Sequence, residues 1–146
     1  MSNSNFDMDG KGQTNQSHPT NNSNSSAGFR PGAAMQGGIG GHAGLFSNAY
    51  DLAELGETWL RGGTLNQIQL VQPEVLAAWT ARGFPDGDNR RGLVFDKPAL
   101  DPNSGPTCDL ASWESFGHSG FTGTLLWVDP MYDLVYVFLS NRTFPE

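Results

Sequence analysis

The chain has 146 residues, 37% of them hydrophobic and 16% charged, so its length accommodates one domain of ordinary size. Fifteen acidic and eight basic side chains give a net charge of −7 at pH 7, which disfavours binding to nucleic acid or to an anionic membrane surface. The single cysteine excludes an internal disulfide and a cysteine-rich zinc site, and the sequence predicts neither a membrane span nor a secretory signal.

The first segment of the chain is polar and contains few apolar side chains. Residues 1–28 are mostly Ser, Asn, Gln, Gly and Thr, and apart from Met1 the only large apolar side chains are Phe6 and Met8. Burial of so few apolar groups does not offset the conformational entropy that ordering would cost. We therefore predict a disordered polar tail over 1–28 and a folded domain over 29–146.

A glycine-rich stretch, 31–46, predicts a tightly shaped loop, because glycine tolerates sharp bends and close backbone approach. It lacks the Gly-Lys-Ser/Thr ending of a phosphate loop and the spacing of a dinucleotide-binding motif. His42 lies in this stretch and, with a second histidine and an aspartate such as Asp51 or Asp109, could in principle hold a metal ion, but no ligand spacing supports such a site. We therefore predict no metal and no cofactor.

Two helices are predicted in the middle of the chain. The first covers Ala49–Arg61, with Ser47 or Asn48 as its N-cap and a pair of glycines after its end. Its apolar side chains recur at helical spacing and are predicted to face the core: Leu52, Leu55, Trp59 and Leu60. The second helix begins at Pro73, which suits a first helical turn, and ends near Gly83.

The C-terminal part is predicted to be extended. Between Phe84 and Ser112 only Leu93–Phe95 indicates a short strand. Three longer strands follow, the last two joined by a turn over 129–133: Ser115–Ser119, Gly123–Val128 and Leu134–Ser140. Nearly continuous apolar side chains in the last two strands indicate coverage on both faces. The predicted fold class is α+β, with an antiparallel sheet flanked by helices. Three strands are too few for a complete domain of this class, so we predict the C-terminal portion of a larger domain.

The run G-H-S-G-F-T-G-T, residues 117–124, places a histidine, a serine and several glycines at the end of a predicted strand. Glycines let a substrate carbonyl approach backbone N–H groups that stabilise an oxyanion, and His118 could position or exchange protons near neutral pH. The structural alternative is a turn with an incidental histidine. Elsewhere, Ser47 lacks the neighbours of a nucleophile elbow, and Cys108 has no nearby cation in the sequence to activate its thiol.

The same run continues into two strands, as F-G-H-S-G-F-T-G-T-L-L-W-V-D-P and then L-V-Y-V-F-L-S-N-R-T-F-P. These stretches resemble the C-terminal strands of the serine β-lactamase and penicillin-binding-protein-like superfamily, especially its β-lactamase-related esterase and D-alanyl-D-alanine peptidase branch. The upstream stretch G-H-A-G-L-F-S-N-A-Y-D-L-A-E-L resembles the loop and helix that precede this strand in the family. The resemblance covers approximately residues 32–146.

The resemblance implies roles for four residues. His118 and Ser119 would stand where the family's third motif, Lys-Thr-Gly or His-x-Gly, steers a substrate carboxylate or hydrogen-bonds the reacting group. Gly120 would keep the strand open to substrate, and the backbone N–H of Phe121 would be one donor of the oxyanion hole. In such enzymes a serine attacks an amide or ester carbonyl and water releases the acyl group. The implied partner is a small-molecule or peptide substrate with such a carbonyl.

Two motifs of the family are absent from the sequence. The nucleophile motif Ser-x-x-Lys needs a lysine, but the two lysines, Lys11 and Lys97, have Met8 and Val94 at the serine position. No Tyr-x-Asn or Ser-x-Asn second motif occurs either. The resemblance implies that the nucleophile-bearing part lies upstream of this sequence and that a closing helix lies after Glu146.

The leading hypothesis is a C-terminal portion of a β-lactamase-related serine hydrolase that carries one wall of the active site. It would be inactive alone, because nucleophile, base and oxyanion hole act as a unit, and the missing N-terminal part would be a partner. The alternatives are a non-catalytic binding module on a hydrolase-like sheet and the product of a truncated gene. An isolated portion would expose apolar strand surface, whereas a selected module would protect its edges. A β-lactam, a D-alanyl peptide and a simple ester remain equal candidates for the substrate.

Overall fold

The computed structural model describes residues 18–19, 45–84, 89–101 and 103–141. In chain order these residues form strand β1, strand β2, helix α1, strands β3 and β4, helix α2 and strands β5 to β7. Their bounds are His18–Pro19, Phe46–Ser47, Ala49–Leu60, Thr64–Leu65, Ile68–Gln69, Pro73–Thr80, Phe116–Ser119, Leu125–Asp129 and Leu134–Phe138. The β1–β2 and β3–β4 pairs are two-residue antiparallel pairs, and β5, β6 and β7 form a three-stranded antiparallel sheet in that order. No helix in the described ranges has the length and apolar character to cross a membrane.

Local signals determine both ends of α1. Of the two predicted caps, Asn48 is the one used: its Oδ1 accepts hydrogen bonds from the backbone N–H groups of Tyr50 and Asp51 at 2.9 and 3.0 Å. The helix ends one residue before the predicted Arg61, and the glycines that follow have φ of +69° and +88°. The predicted second helix is confirmed as Pro73–Thr80, with proline in its first turn.

Helix α1 packs on one face of the sheet through Gly56. A Cβ atom at this position would lie 2.5 Å from Cγ1 of Val135 and 3.3 Å from Cδ1 of Leu126, so only glycine allows the helix to approach this closely. The core between helix and sheet is built from Phe95, Phe116 and Val128, against which four partly buried side chains pack: Trp59, Leu60, Trp79 and Val135. The antiparallel pairing of β6 with β7 confirms the predicted hairpin.

Within the described part of the chain, the predicted coverage of both sheet faces holds for β6, whose residues are half-buried or buried, and is wrong for β7. Strand β7 alternates between exposed and half-buried residues, and on the face away from α1 the side chains Leu134, Tyr136 and Phe138 are about half exposed. A loop at 106–111 partly covers this face and leaves an apolar groove of about 560 Å³, which is lined by Leu110, Leu125, Trp127, Tyr132, Leu134 and Tyr136 among others. The continuous apolar sequence of β7 therefore includes side chains that remain half exposed on the sheet face away from α1.

The predicted strand at Leu93–Phe95 is also wrong. These residues form a bend in which the Gly92 N–H donates to the Phe95 carbonyl at 2.8 Å, and only Phe95 of the three is buried. Isolated antiparallel bridges flank the bend, including Arg91 with Asp96 and Asp96 with Gly117. The bend therefore brings an irregular segment to the outer edge of β5.

The predicted tail, 1–28, lies outside the described residues except for His18–Pro19. The backbone of these two residues pairs antiparallel with Phe46–Ser47. The predicted disorder of the tail and the domain boundary at residue 29 stay predictions.

Candidate active-site wall

Strand β5 ends in the residues that the sequence singled out. His118 and Ser119 are its last two residues, and both are exposed. Gly120 follows and begins a turn in which its N–H donates to the Thr124 carbonyl at 2.7 Å. A Cβ atom on Gly120 would overlap Oγ1 of Thr124, so a larger residue here would displace the Thr124 hydroxyl. Phe121 lies in this turn with its side chain 44% exposed. The four predicted site residues are thus adjacent at one end of an edge strand.

The side chains of His118 and Ser119 lie on opposite faces of the sheet, because successive side chains of a strand alternate. His118 pairs in register with Leu126, which contacts α1, so the imidazole lies on the α1 face. Its Nδ1 is 2.7 Å from the Ser119 carbonyl oxygen, and its Nε2 is 3.0 Å from Nη1 of Arg91. The imidazole is therefore held from both ring nitrogens.

A buried carboxylate lies next to this histidine. Asp96 is 1% exposed, and its backbone exchanges hydrogen bonds of 2.8 and 3.1 Å with Gly117. Its carboxylate pairs with Nε of Arg91 at 2.8 Å and with Nη2 of Arg90 at 3.3 Å. Sequence reasoning missed all three residues. The Arg-Arg pair is visible in the sequence, but Arg91 and His118 are 27 positions apart, and no periodic pattern connects them.

The other polar residues considered in the sequence do not assemble into a site. Ser47 forms only a 3.4 Å contact from its hydroxyl to the Asn48 carbonyl, and Asp51 accepts from the Asn48 side chain at 2.8 Å. Cys108 is exposed at the groove of the opposite face. His42 lies outside the described residues, and among those that are described no three His, Cys, Asp or Glu side chains are placed to hold a metal ion.

Lys97, next to Asp96 in the chain, has a strongly lowered pKa. Its side chain is 5% exposed, and Nζ donates to the Glu114 carbonyl at 2.7 Å and lies 5.7 Å from the centre of the Phe116 ring. Burial and, to a smaller extent, the positive charge of Arg82 lower the pKa of this ammonium, the carboxylates of Glu114 and Asp129 oppose them, and the net result is a fall from 10.5 to about 8. The shift is thus explained by packing in the core.

The free energy of unfolding is expected to rise with pH through Lys97. Between about pH 8 and 10.5 the unfolded chain retains this proton and the folded chain releases it, so raising the pH favours the folded state. At neutral pH, Lys97→Met is expected to be about 1 to 2 kcal/mol more stable than the parent, after allowance for screening by water. This difference should shrink as the pH approaches 10.5.

Urea unfolding followed by circular dichroism, at neutral pH and near the upper end of that interval, measures the Lys97 effect. The second lysine of the sequence provides the chemical control, as Lys11→Met. A Lys97→Met difference that stays constant over the interval would contradict the prediction.

Comparisons with known proteins agree with the arrangement of helix, sheet and edge strand. The family model described as Beta-lactamase matches residues 3–146. A protein of Escherichia coli (strain K12) named "Putative D-alanyl-D-alanine carboxypeptidase" is 38% identical over 107 residues, which are 73% of this chain and 24% of that protein. A protein of the same name from Salmonella newport (strain SL254) is 37% identical with the same coverage. The chain therefore spans about a quarter of the length of these curated relatives.

Two solved structures share the fold. A β-lactamase from Mycobacterium bovis superposes with a TM-score of 0.55 and 30% identity, over 70% of this chain and 39% of that one. A penicillin-binding protein homologue from Caulobacter crescentus gives a TM-score of 0.50 and 28% identity, over 66% of this chain and 26% of that one. With the family match over nearly the whole sequence, these likenesses show that the chain belongs to the β-lactamase family of hydrolases, within the serine β-lactamase and penicillin-binding-protein-like superfamily.

Proposed function

We propose that this chain forms one wall of a serine-hydrolase active site and that the nucleophile belongs to a part of the domain outside these residues. The observation that carries the proposal is the end of β5, where exposed His118 and Ser119 and the Gly120 turn are adjacent at an edge strand. The sequence places no Ser-x-x-Lys motif beside them. The chain alone is therefore proposed to be inactive.

In the proposed role, the wall receives an amide or ester carbonyl of the substrate. His118 lines the site beside the reacting group with its ring nitrogens held by Arg91 and the Ser119 carbonyl. Gly120 leaves room for the substrate at the strand edge, and the Phe121 N–H is the proposed donor to the developing oxyanion. The names of the Escherichia coli and Salmonella relatives favour a D-alanyl peptide as substrate, and the Mycobacterium bovis structure favours a β-lactam. Both substrates present an amide carbonyl to the same kind of site, strained in the β-lactam ring and part of an ordinary peptide bond in the D-alanyl peptide.

The second candidate function is a non-catalytic binding module. The apolar groove on the sheet face away from α1 is the observation in its favour, because a concavity of this size is typical of ligand or partner surfaces. The half-exposed Leu134, Tyr136 and Phe138 on the same face equally fit a surface that the rest of a hydrolase domain would cover. The two functions differ in what the chain does alone: a module binds its ligand without further segments, whereas a portion of a hydrolase needs the remaining part of its domain to complete the site.

The first test measures chromophore release from nitrocefin and from a p-nitrophenyl ester by the purified chain. We expect no burst and no turnover above the buffer rate. A burst that Ser119→Ala or His118→Ala abolishes would contradict the proposal, because it would require a nucleophile within this chain. Circular dichroism of the same sample establishes that the assayed chain is folded, so that an absent burst reports on the missing nucleophile and not on an unfolded sample.

The second test supplies the missing part. In a chimera, this chain replaces the matched region of the Escherichia coli relative, and acyl-enzyme formation is followed with a fluorescent penicillin. We expect acylation in the chimera and a loss of about a hundredfold in its rate for His118→Ala. Glu74→Ala, at the exposed start of α2, is the control and should acylate like the parent chimera. Equal rates for the His118 and Glu74 variants would overturn the assignment of β5 as the wall.

A further inference from the structure

Arg91 connects a buried carboxylate to the histidine of the candidate wall. Its Nε lies 2.8 Å from Oδ1 of Asp96, an ion pair in which the N–H does not align with the oxygen as a hydrogen bond. Its Nη1 lies 3.0 Å from Nε2 of His118. Asp96 is itself fixed, because its backbone pairs with Gly117, the residue before His118. One short stretch of bridging backbone thus determines where the guanidinium stands relative to the imidazole.

The partners of the imidazole determine its tautomer. A guanidinium has only N–H donors, so Nε2 of His118 must be the acceptor in its contact with Arg91. A backbone carbonyl can only accept, so Nδ1, at 2.7 Å from the Ser119 carbonyl, must carry the hydrogen. Both contacts are satisfied together only by the neutral Nδ1–H form. The doubly protonated form would direct an N–H at the guanidinium.

We propose that Arg91 is a positioning residue of this wall: it holds His118 as the neutral Nδ1–H tautomer, and its guanidinium is the positive charge of the site. The Arg91 side chain is 49% exposed, and its contacts with Asp96 and His118 use Nε and Nη1, so further N–H groups of the fork are available to an anionic group of a ligand. The role toward a ligand rests on the proposed function, but the tautomer does not depend on it.

The tautomer is measured on the full-length chain by two-bond ¹H–¹⁵N correlation of the imidazole rings at mildly alkaline pH, with His118→Gln to assign the signal. We expect the Nδ1–H form to exceed the Nε2–H form about tenfold or more, the reverse of the preference of free histidine. In Arg91→Ala the excess of the Nδ1–H form should fall clearly, because only the Ser119 carbonyl then favours it. In Arg91→Lys, whose ammonium can still donate to Nε2, the Nδ1–H form should remain in excess.

Arg90→Ala is the matched control. Arg90 contacts the same Asp96 carboxylate, at 3.3 Å, whereas Arg91 is the arginine that hydrogen-bonds the imidazole. Arg90→Ala should therefore leave the ratio of the two His118 tautomers unchanged. The parent spectrum alone can overturn the proposal, if His118 is mainly Nε2–H or doubly protonated. An unchanged ratio in a folded Arg91→Ala variant, or equal shifts in the Arg90 and Arg91 variants, would also overturn it. A failure of the hydrolysis assays leaves this readout unaffected, so the two proposals fail separately.

Discussion

Replacing Asp129 by asparagine is expected to lower the free energy of unfolding by about 2 to 4 kcal/mol. This residue ends β6 and is 3% exposed. Its Oδ2 accepts the Ser112 N–H at 2.7 Å, and its Oδ1 accepts the Ser112 hydroxyl at 2.5 Å and the Met131 N–H at 3.1 Å. An amide NH₂ in either position would place a donor against a backbone donor, so one buried N–H would lose its partner.

Asp133→Asn is the matched control for this substitution. Asp133 lies in the same hairpin turn, but its side chain is 65% exposed, and its contact is a surface ion pair with Arg61 at 3.0 Å. Its φ of +50° is one that asparagine tolerates. We expect this variant to lie within about 1 kcal/mol of the parent. Urea denaturation measures the free energy of unfolding of the two variants. Similar decreases in both would show that the Asp129 hydrogen bonds contribute no more to stability than a surface contact.

Features that depend on neighbours in sequence were predictable. The α1 helix follows from the Asn48 cap, from apolar residues that recur at helical spacing beginning with Leu52, and from the glycines after Arg61. All three signals act within one or two helical turns. The β6–β7 hairpin follows likewise from two apolar runs and a turn between them. In each case the physical cause lies within the segment, so the sequence pattern contains it.

Features that depend on distant segments were not predictable. The sequence pattern predicts Asp129 as an ordinary turn residue. Its principal hydrogen-bond partner, Ser112, is however 17 positions upstream. The placement of Arg91 at His118 depends on the Asp96–Gly117 bridge, which closes a loop without periodic pattern. The exposed face of β7 was not predicted for another reason. A continuous apolar run indicates that both faces of a strand favour burial, but it does not indicate which segment buries each face.

Gly117→Ala is expected to destabilise the chain by about 3 kcal/mol or more. Gly117 is buried in β5, and a Cβ atom there would overlap the carbonyl oxygen of Leu126 and the ring of Trp127. Both obstacles belong to the neighbouring strand β6: one is its backbone and the other is the packed side chain of Trp127, which is 5% exposed. Neither can move without separating β5 from β6. Urea denaturation measures the loss, and Ser119→Ala, an exposed position two residues along the same strand, is the control and should stay within about 0.5 kcal/mol of the parent.

The same substitution tests whether the backbone of β5 positions the candidate wall. Gly117 exchanges both backbone hydrogen bonds with Asp96, and Asp96 holds Arg91 against His118. Displacing β5 should therefore also reduce the excess of the Nδ1–H tautomer at His118, measured in the remaining folded population. A Gly117→Ala variant as stable as the parent would contradict the packing argument. A destabilised variant that keeps the tautomer ratio would show that Arg91 reaches the imidazole independently of the Asp96–Gly117 pairing.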